Sequence, residues 1–155
     1  MPCVKACNLY MNTQLSAKDK DKEILNKLLD FYQGATKEIL QRDKYVIPML
    51  VVVDKDGELS FQGLVPANAQ EHITDQLEAY RELLRGTVLE HDAYLLGYDV
   101  RLKEREDYQE ALAIEAEIRG GAQIMLYLPY KFFGIRRRLV FGSIERVEPS
   151  YGRLY

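Results

Sequence analysis

Residues 111–127 read ALAIEAEIRGGAQIMLY, and the fold turns on whether their first half is helix or strand. Ala, Leu and Glu are good helix formers, so propensity alone favours a helix. As a helix, however, residues 112–118 scatter apolar groups over more than one face. As a strand they alternate strictly, with Leu112, Ile114, Ala116 and Ile118 on one side and Ala113, Glu115, Glu117 and Arg119 on the other. Gly120-Gly121 supplies a turn. A three-residue loop of Arg119-Gly120-Gly121, with Gly121 left-handed, sets Ile118 opposite Ala122. The pairs Ala116–Ile124, Ile114–Leu126 and Leu112–Leu128 then share one face. A two-residue Gly-Gly loop would set Glu117 against Ile124 and Glu115 against Leu126, so the longer loop and a β-hairpin are predicted.

Downstream, Arg138 to Val147 reads as a last strand with an irregularity at Gly142. Upstream, Tyr94, Leu96, Tyr98, Val100 and Leu102 alternate with Leu95, Gly97, Asp99, Arg101 and Lys103 as a half-buried strand, and KEREDYQE is a polar connection. Before it, Asn68 with Glu71 marks a helix start. Ala69, Ile73, Leu77, Tyr80 and Leu84 line one helical face, and Gly86 ends the helix. Met49 to Val53 reads as a buried strand and Asp54 to Gly57 as a turn. Leu59 and Phe61 alternate on the return strand, with Val52 expected opposite Leu59. Pro48, which has no N–H for a ladder, belongs at the strand's start or on an edge. Ser16 with Asp19 opens the first helix, and Ile24, Leu25, Leu28, Leu29 and Tyr32 form its face. Gly34 is its predicted stop, with a second short helix over 36–41.

The order α(α)-β-β-α-β-β-β-β implies an α+β fold: a mainly antiparallel sheet of about six strands with helices on one face. One domain over 1–155 is expected, with 1–15 and 149–155 irregular. Two architectures share this order. The NTF2/cystatin-like one has helices, a short hairpin, a helix and a long meander. The profilin/roadblock-like one has α-β-β-α-β-β-β and usually a final helix. The central VVVDKDGELSF hairpin favours the profilin-like arrangement by analogy.

The composition bounds what the chain does. With 47% hydrophobic and 29% charged residues it can bury a core and is not a disordered sequence. A net charge of -3 argues against wholesale nucleic-acid binding, and no apolar run is long enough to span a membrane. MPCVKACNLYMNTQ has no signal-like apolar segment, and Cys3 and Cys7 suit free thiols in a reducing compartment. The expected location is therefore cytoplasmic.

Four motifs invite chemistry. Ile47-Pro48 before a hairpin looks like a redox cis-Pro segment, but Cys3 and Cys7 are four apart and no β-α-β unit precedes them, so ordinary thiols are expected. DKDG looks like a calcium loop, yet the position of its bidentate Glu is held by Val65, and turn chemistry explains it better. His72, His91-Asp92 and Asp99 resemble the ligands of a metal phosphohydrolase. That family is helical where Asp99 lies in a strand, so no metal is expected, with His72 solvated on a helix and His91 in a loop. Lys131, Arg136, Arg137 and Arg138 form a basic cluster beside Tyr130, Phe132 and Phe133, a mixture able to bind phosphate or an acidic partner. The plainer reading is a strand end whose arginines cover apolar surface.

LVVVDKDGEL, GYDVRL, ALAIEAEIRGGAQIMLYLPY and LVFG together resemble a kind of small bacterial α+β protein over about residues 46–142. The resemblance implies a bacterial cytoplasmic origin and transfers no activity or catalytic residue.

The expected function is a non-enzymatic protein-binding module of regulatory or immunity type, without cofactor or catalytic residue. The alternative is a small-molecule-binding domain or cryptic enzyme of NTF2-like fold, its pocket lined by Tyr80, Tyr94 and Tyr98. An outer sheet face of Val51, Val53, Met125 and Tyr127, beside a solvated Glu115 and Glu117, is expected to be covered by the tail residues Tyr151 and Tyr155 or by a second copy in a homodimer.

Overall fold

The structure is a computed structural model and describes residues 17–63, 72–103 and 105–155. Among the described residues two helices and seven strands follow one another: α1 (Ala17–Asp43), β1 (Met49–Asp54), β2 (Leu59–Gln62), α2 (Ile73–Gly86), β3 (His91–Arg101), β4 (Glu110–Ile118), β5 (Gln123–Phe133), β6 (Arg138–Phe141) and β7 (Glu145–Val147). The strands form one antiparallel sheet in the order β2-β1-β3-β4-β5-β6, and β7 also pairs with β5. The fold is α+β. Among the described residues no helix follows the last strand.

The β4–β5 hairpin has the predicted register: Ala116 faces Ile124, Ile114 faces Leu126 and Leu112 faces Leu128. One detail differs. Gly120, not Gly121, takes the positive φ of 65°, because the bond from Gly121 N–H to the Ile118 carbonyl makes Gly120 the third residue of a four-residue turn. Gly121 instead leaves room for a neighbouring side chain. A Cβ there would crowd the Asp21 carboxylate, which accepts the Ala122 N–H at 3.0 Å.

The first hairpin is offset by one residue from expectation. Asp54 Oδ1 accepts the N–H groups of Asp56 and Glu58, and Gly57 at φ 84° completes the loop. Val53 therefore faces Leu59, and Val52 faces Ser60.

Helix α1 is continuous through Gly34. Its apolar stripe runs on past the glycine into Ile39 and Leu40, and burial of that stripe outweighs the roughly 1 kcal/mol that an interior glycine costs. Thr36, buried in the same stripe, donates its hydroxyl to the Tyr32 carbonyl at 2.9 Å. The stop comes at Lys44, which takes φ 68° and returns its N–H to the Leu40 carbonyl. The predicted signals at Ser16, Asn68, Ala69 and Glu71, and Cys3 and Cys7, lie outside the described residues. The last predicted strand is split at Gly142 into β6 and β7.

The two helices cover opposite faces of the sheet, not one. Leu28, Tyr32 and Leu40 of α1 pack with Val51, Val53, Leu95, Leu112, Ile114 and their neighbours. Tyr80 and Leu84 of α2 pack with Leu50, Val52, Tyr94 and Leu96 on the other side. The cause is visible in β1: Leu50, Val51, Val52 and Val53 are all buried, the pattern of a strand covered on both faces. Gly97 in β3 lies directly beneath the Tyr32 ring, and a Cβ there would overlap it.

Candidate functional site

The second face carries the unusual chemistry. Strand β4 alternates as predicted, but Glu115 and Glu117 point into the protein, at 1% and 0% exposure. The expectation that they belong to a solvated face is overturned, because α2 and residues 150–155 lie over them. Burying a charge is costly unless it is paired and hydrogen-bonded, and both carboxylates are.

Glu115 is held by a closed set of partners. Arg81 from α2 donates from both terminal nitrogens to its two oxygens, at 2.9 and 2.8 Å. Tyr98 donates its hydroxyl at 2.8 Å. Burial above all, then the Glu115 charge, pushes the Tyr98 hydroxyl far above its ordinary pKa, so it stays a donor.

Glu117 is held differently. The Leu154 N–H reaches its two oxygens at 3.1 and 2.9 Å, and the Tyr155 N–H reaches one at 3.2 Å. The Tyr94 hydroxyl and Arg153 Nε each lie 3.5 Å away. Most of its compensation therefore comes from the tail.

The tail has further fixings. Tyr151 directs its hydroxyl at the carbonyls of Ala116 and Ile124, and Gln123 Nε2 donates to the Tyr151 carbonyl. The Tyr155 ring lies under the Arg119 guanidinium at 4.5 Å, and its hydroxyl is 2.5 Å from His91 Nδ1. A cleft of about 170 Å³ remains beside the tail, lined by Arg81, Leu84, Arg85, Tyr94, Arg153 and Leu154. Tyr80, Tyr94 and Tyr98 do share this face, as expected for a pocket, although the tail and Arg81 fill much of it.

The predicted basic cluster divides in two. Strand alternation turns Tyr130 inward, where it is buried and donates to Asp99 at 2.5 Å, so Tyr130 is not a surface residue. Lys131 points the other way, half-buried, with Nζ over the Tyr108 ring at 4.7 Å. Arg136, Arg137 and Arg138 stand exposed at the β5–β6 turn, and their side chains have no ion-pair partner among the described residues. Arg137 takes φ 50° and Gly134 φ 78°, which close the turn. Phe133 and Ile135 flank the arginines at 68% and 104% exposure. The sequence already set Phe133 beside the arginines, whereas Ile135 went unnoticed. Its signal is FFGIRRR itself, an apolar residue placed where the turn leaves no core to receive it.

The predicted outer face also divides. Val51 and Val53 lie in the core beneath α1, as the corrected hairpin register requires. Met125 and Tyr127 do face the Glu115 side, where Ser150 of the tail sits 3.6 Å from the Met125 sulfur.

The metal-like residues do not assemble. His72 is exposed ahead of α2. His91 is buried in β3, not solvated in a loop as expected. Asp92 pairs with Lys55 and Arg119, and Asp99 accepts from Tyr130 and the Val46 N–H. No group of three potential metal ligands exists among the described residues, and no helix there is long and apolar enough to cross a membrane.

No protein-family model matches the sequence, no curated protein matches it, and no solved structure matches the fold.

Proposed function

We propose that the chain is a protein-binding module of regulatory or immunity type, whose contact surface is the end of the β5–β6 hairpin. The observation that carries this reading is the juxtaposition there of three arginines without ion-pair partners among the described residues and two exposed apolar side chains, Phe133 and Ile135. The fit is an acidic protein surface with an apolar recess. Arginine forks bind carboxylates in pairs, and a large apolar side chain entering a recess supplies the anchor. The net charge of -3 makes the positive end local, which disfavours nucleic acid as the partner.

The test starts with affinity capture from the native host and continues with the purified pair. Replacing Arg136, Arg137 and Arg138 together by Ala should weaken binding at least about tenfold, with strong salt dependence and little change in melting temperature. Binding to anionic vesicles instead of protein, or an unfolded triple variant, would overturn the reading.

A second reading has its own support. Buried carboxylates beside Tyr80, Tyr94 and Tyr98 favour a small-molecule-binding domain or enzyme of NTF2-like kind, with Arg81 and the tail moving aside. Self-association remains part of the proposal. Light scattering at micromolar concentration separates a homodimer from a monomer closed by its own tail.

A further inference from the structure

Glu115 and Glu117 are both buried on one face of β4, yet they are compensated in different ways. Glu115 faces a two-pronged arginine held on a helix. Glu117 faces a segment laid across it. Residues 151–155 join no strand of the sheet. Their main-chain bonds to it pass through side chains: Glu117 takes the N–H groups of Leu154 and Tyr155, and Gln123 gives to the Tyr151 carbonyl. The cation nearest Glu117, Arg153, is half exposed and 3.5 Å away, a loose contact for a fully buried carboxylate. Open space of about 170 Å³ remains between this segment and the sheet's cover, walled by Gly152, Arg153 and Leu154 on one side and by Arg81, Leu84 and Tyr94 on the other.

We infer that the groove beneath residues 151–155 is a receptor for an extended peptide segment of the pattern Tyr-x-Arg-x-Tyr, filled in cis by Tyr151, Arg153 and Tyr155 and open to a segment of the same chemistry from a partner protein. Each part of the pattern has a seat. The first tyrosine reaches the carbonyls of Ala116 and Ile124. The arginine approaches Glu117 and donates to the Gly121 carbonyl at 2.7 Å. The last tyrosine stacks under Arg119 and meets His91. Two successive N–H groups, those of Leu154 and Tyr155, satisfy the buried carboxylate, as peptide recognition through a main-chain segment requires. A competing segment gains only by matching this set, so specificity lies in the spacing of the three side chains.

The inference does not depend on the hairpin reading, and its test leaves that reading untouched. Hydrogen exchange on the full chain should show the Leu154 and Tyr155 amides opening about 100-fold faster than the amides of β4, as a segment that leaves without global unfolding does. Adding the synthetic peptide Ser-Tyr-Gly-Arg-Leu-Tyr at millimolar concentration to isotope-labelled full chain should move those two resonances to unfolded-chain positions. The same peptide with Ala in place of Arg should act at least about tenfold more weakly. In Glu117→Gln the peptide's effect should also fall. Exchange of Leu154 and Tyr155 at the β4 rate, or equal effects of the two peptides, would overturn the inference. The exchange measurement stands alone if Glu117→Gln does not fold.

Discussion

Ile114 and Glu115 are neighbours in β4 and live in opposite chemistries. Ile114 points at α1, into an interior mostly of leucine, valine and isoleucine, with the Tyr130–Asp99 bond near its margin. Glu115 points at α2, where an apolar cluster around Leu50, Val52 and Leu96 is joined by carboxylates, arginine and tyrosine hydroxyls. The first face is stabilised by burying apolar area, which is tolerant of detail. The second depends on pairing. A buried ion pair contributes little net stability over an apolar replacement, but losing one partner strands a charge. One sheet thus combines a forgiving face with a face in which each partner is needed, and the groove inferred to take a peptide segment lies on the second.

The sharpest way to break this contrast is Arg81→Ala. It leaves Glu115 buried without its cation and should cost about 3–5 kcal/mol in urea unfolding. Replacing both partners by apolar residues, Arg81→Leu with Glu115→Met, should recover most of that loss. If the single change costs under about 1 kcal/mol, the second face is not governed by charge pairing.

On the α1 face the corresponding fault is steric. Gly97→Ala places a methyl group against the Tyr32 ring and should cost about 1–3 kcal/mol, partly recovered by Tyr32→Leu. A neutral Gly97→Ala would show that the ring does not lie over that glycine.

Between the two in character is His91, which joins the tail to the sheet. Burial first, then the Arg119 charge, holds its pKa below the usual value. The unfolded chain therefore binds the proton more readily. The stability that His91 contributes is present above its unfolded pKa of about 6.5 and is lost as pH falls from there toward the folded value. Denaturation midpoints should drop more between pH 7.5 and 5.5 in the wild type than in His91→Gln. Identical drops would remove His91 from the tail's attachment.

The smallest effect has the opposite sign. The Tyr32 hydroxyl is buried with no hydrogen-bond partner among the described residues. Tyr32→Phe removes that orphan and should stabilise by about 1 kcal/mol. A loss of stability would mean that the hydroxyl is bonded.

How far the sequence revealed this arrangement differs between the two faces. The β4–β5 register was legible because strict alternation and a glycine turn fix which residues share a side. What covers a side is a different question. Glu115 and Glu117 read as solvated because their partners, Arg81 and the tail, lie far away in the chain, and polarity cannot distinguish a paired charge from a wet one. The two-sided cover was present in the sequence as the unbroken apolar runs Leu50–Val53 and Ala93–Leu96, which a sheet with one wet face would not carry. Gly34 misled because a helix ends where its packing ends, and Ile39 and Leu40 still had a core to reach.

The coupling between Glu117 and the tail tests the two-face account most directly. Residues 149–155 are deleted in the wild type and in Glu117→Gln, and the four unfolding free energies close a double-mutant cycle. If the tail completes a buried charge, deletion destabilises the wild type more than it does Glu117→Gln, with a coupling of at least about 1 kcal/mol. Equal losses in the two backgrounds would mean that the tail covers the sheet as apolar surface alone, and that Glu117 is compensated by something else.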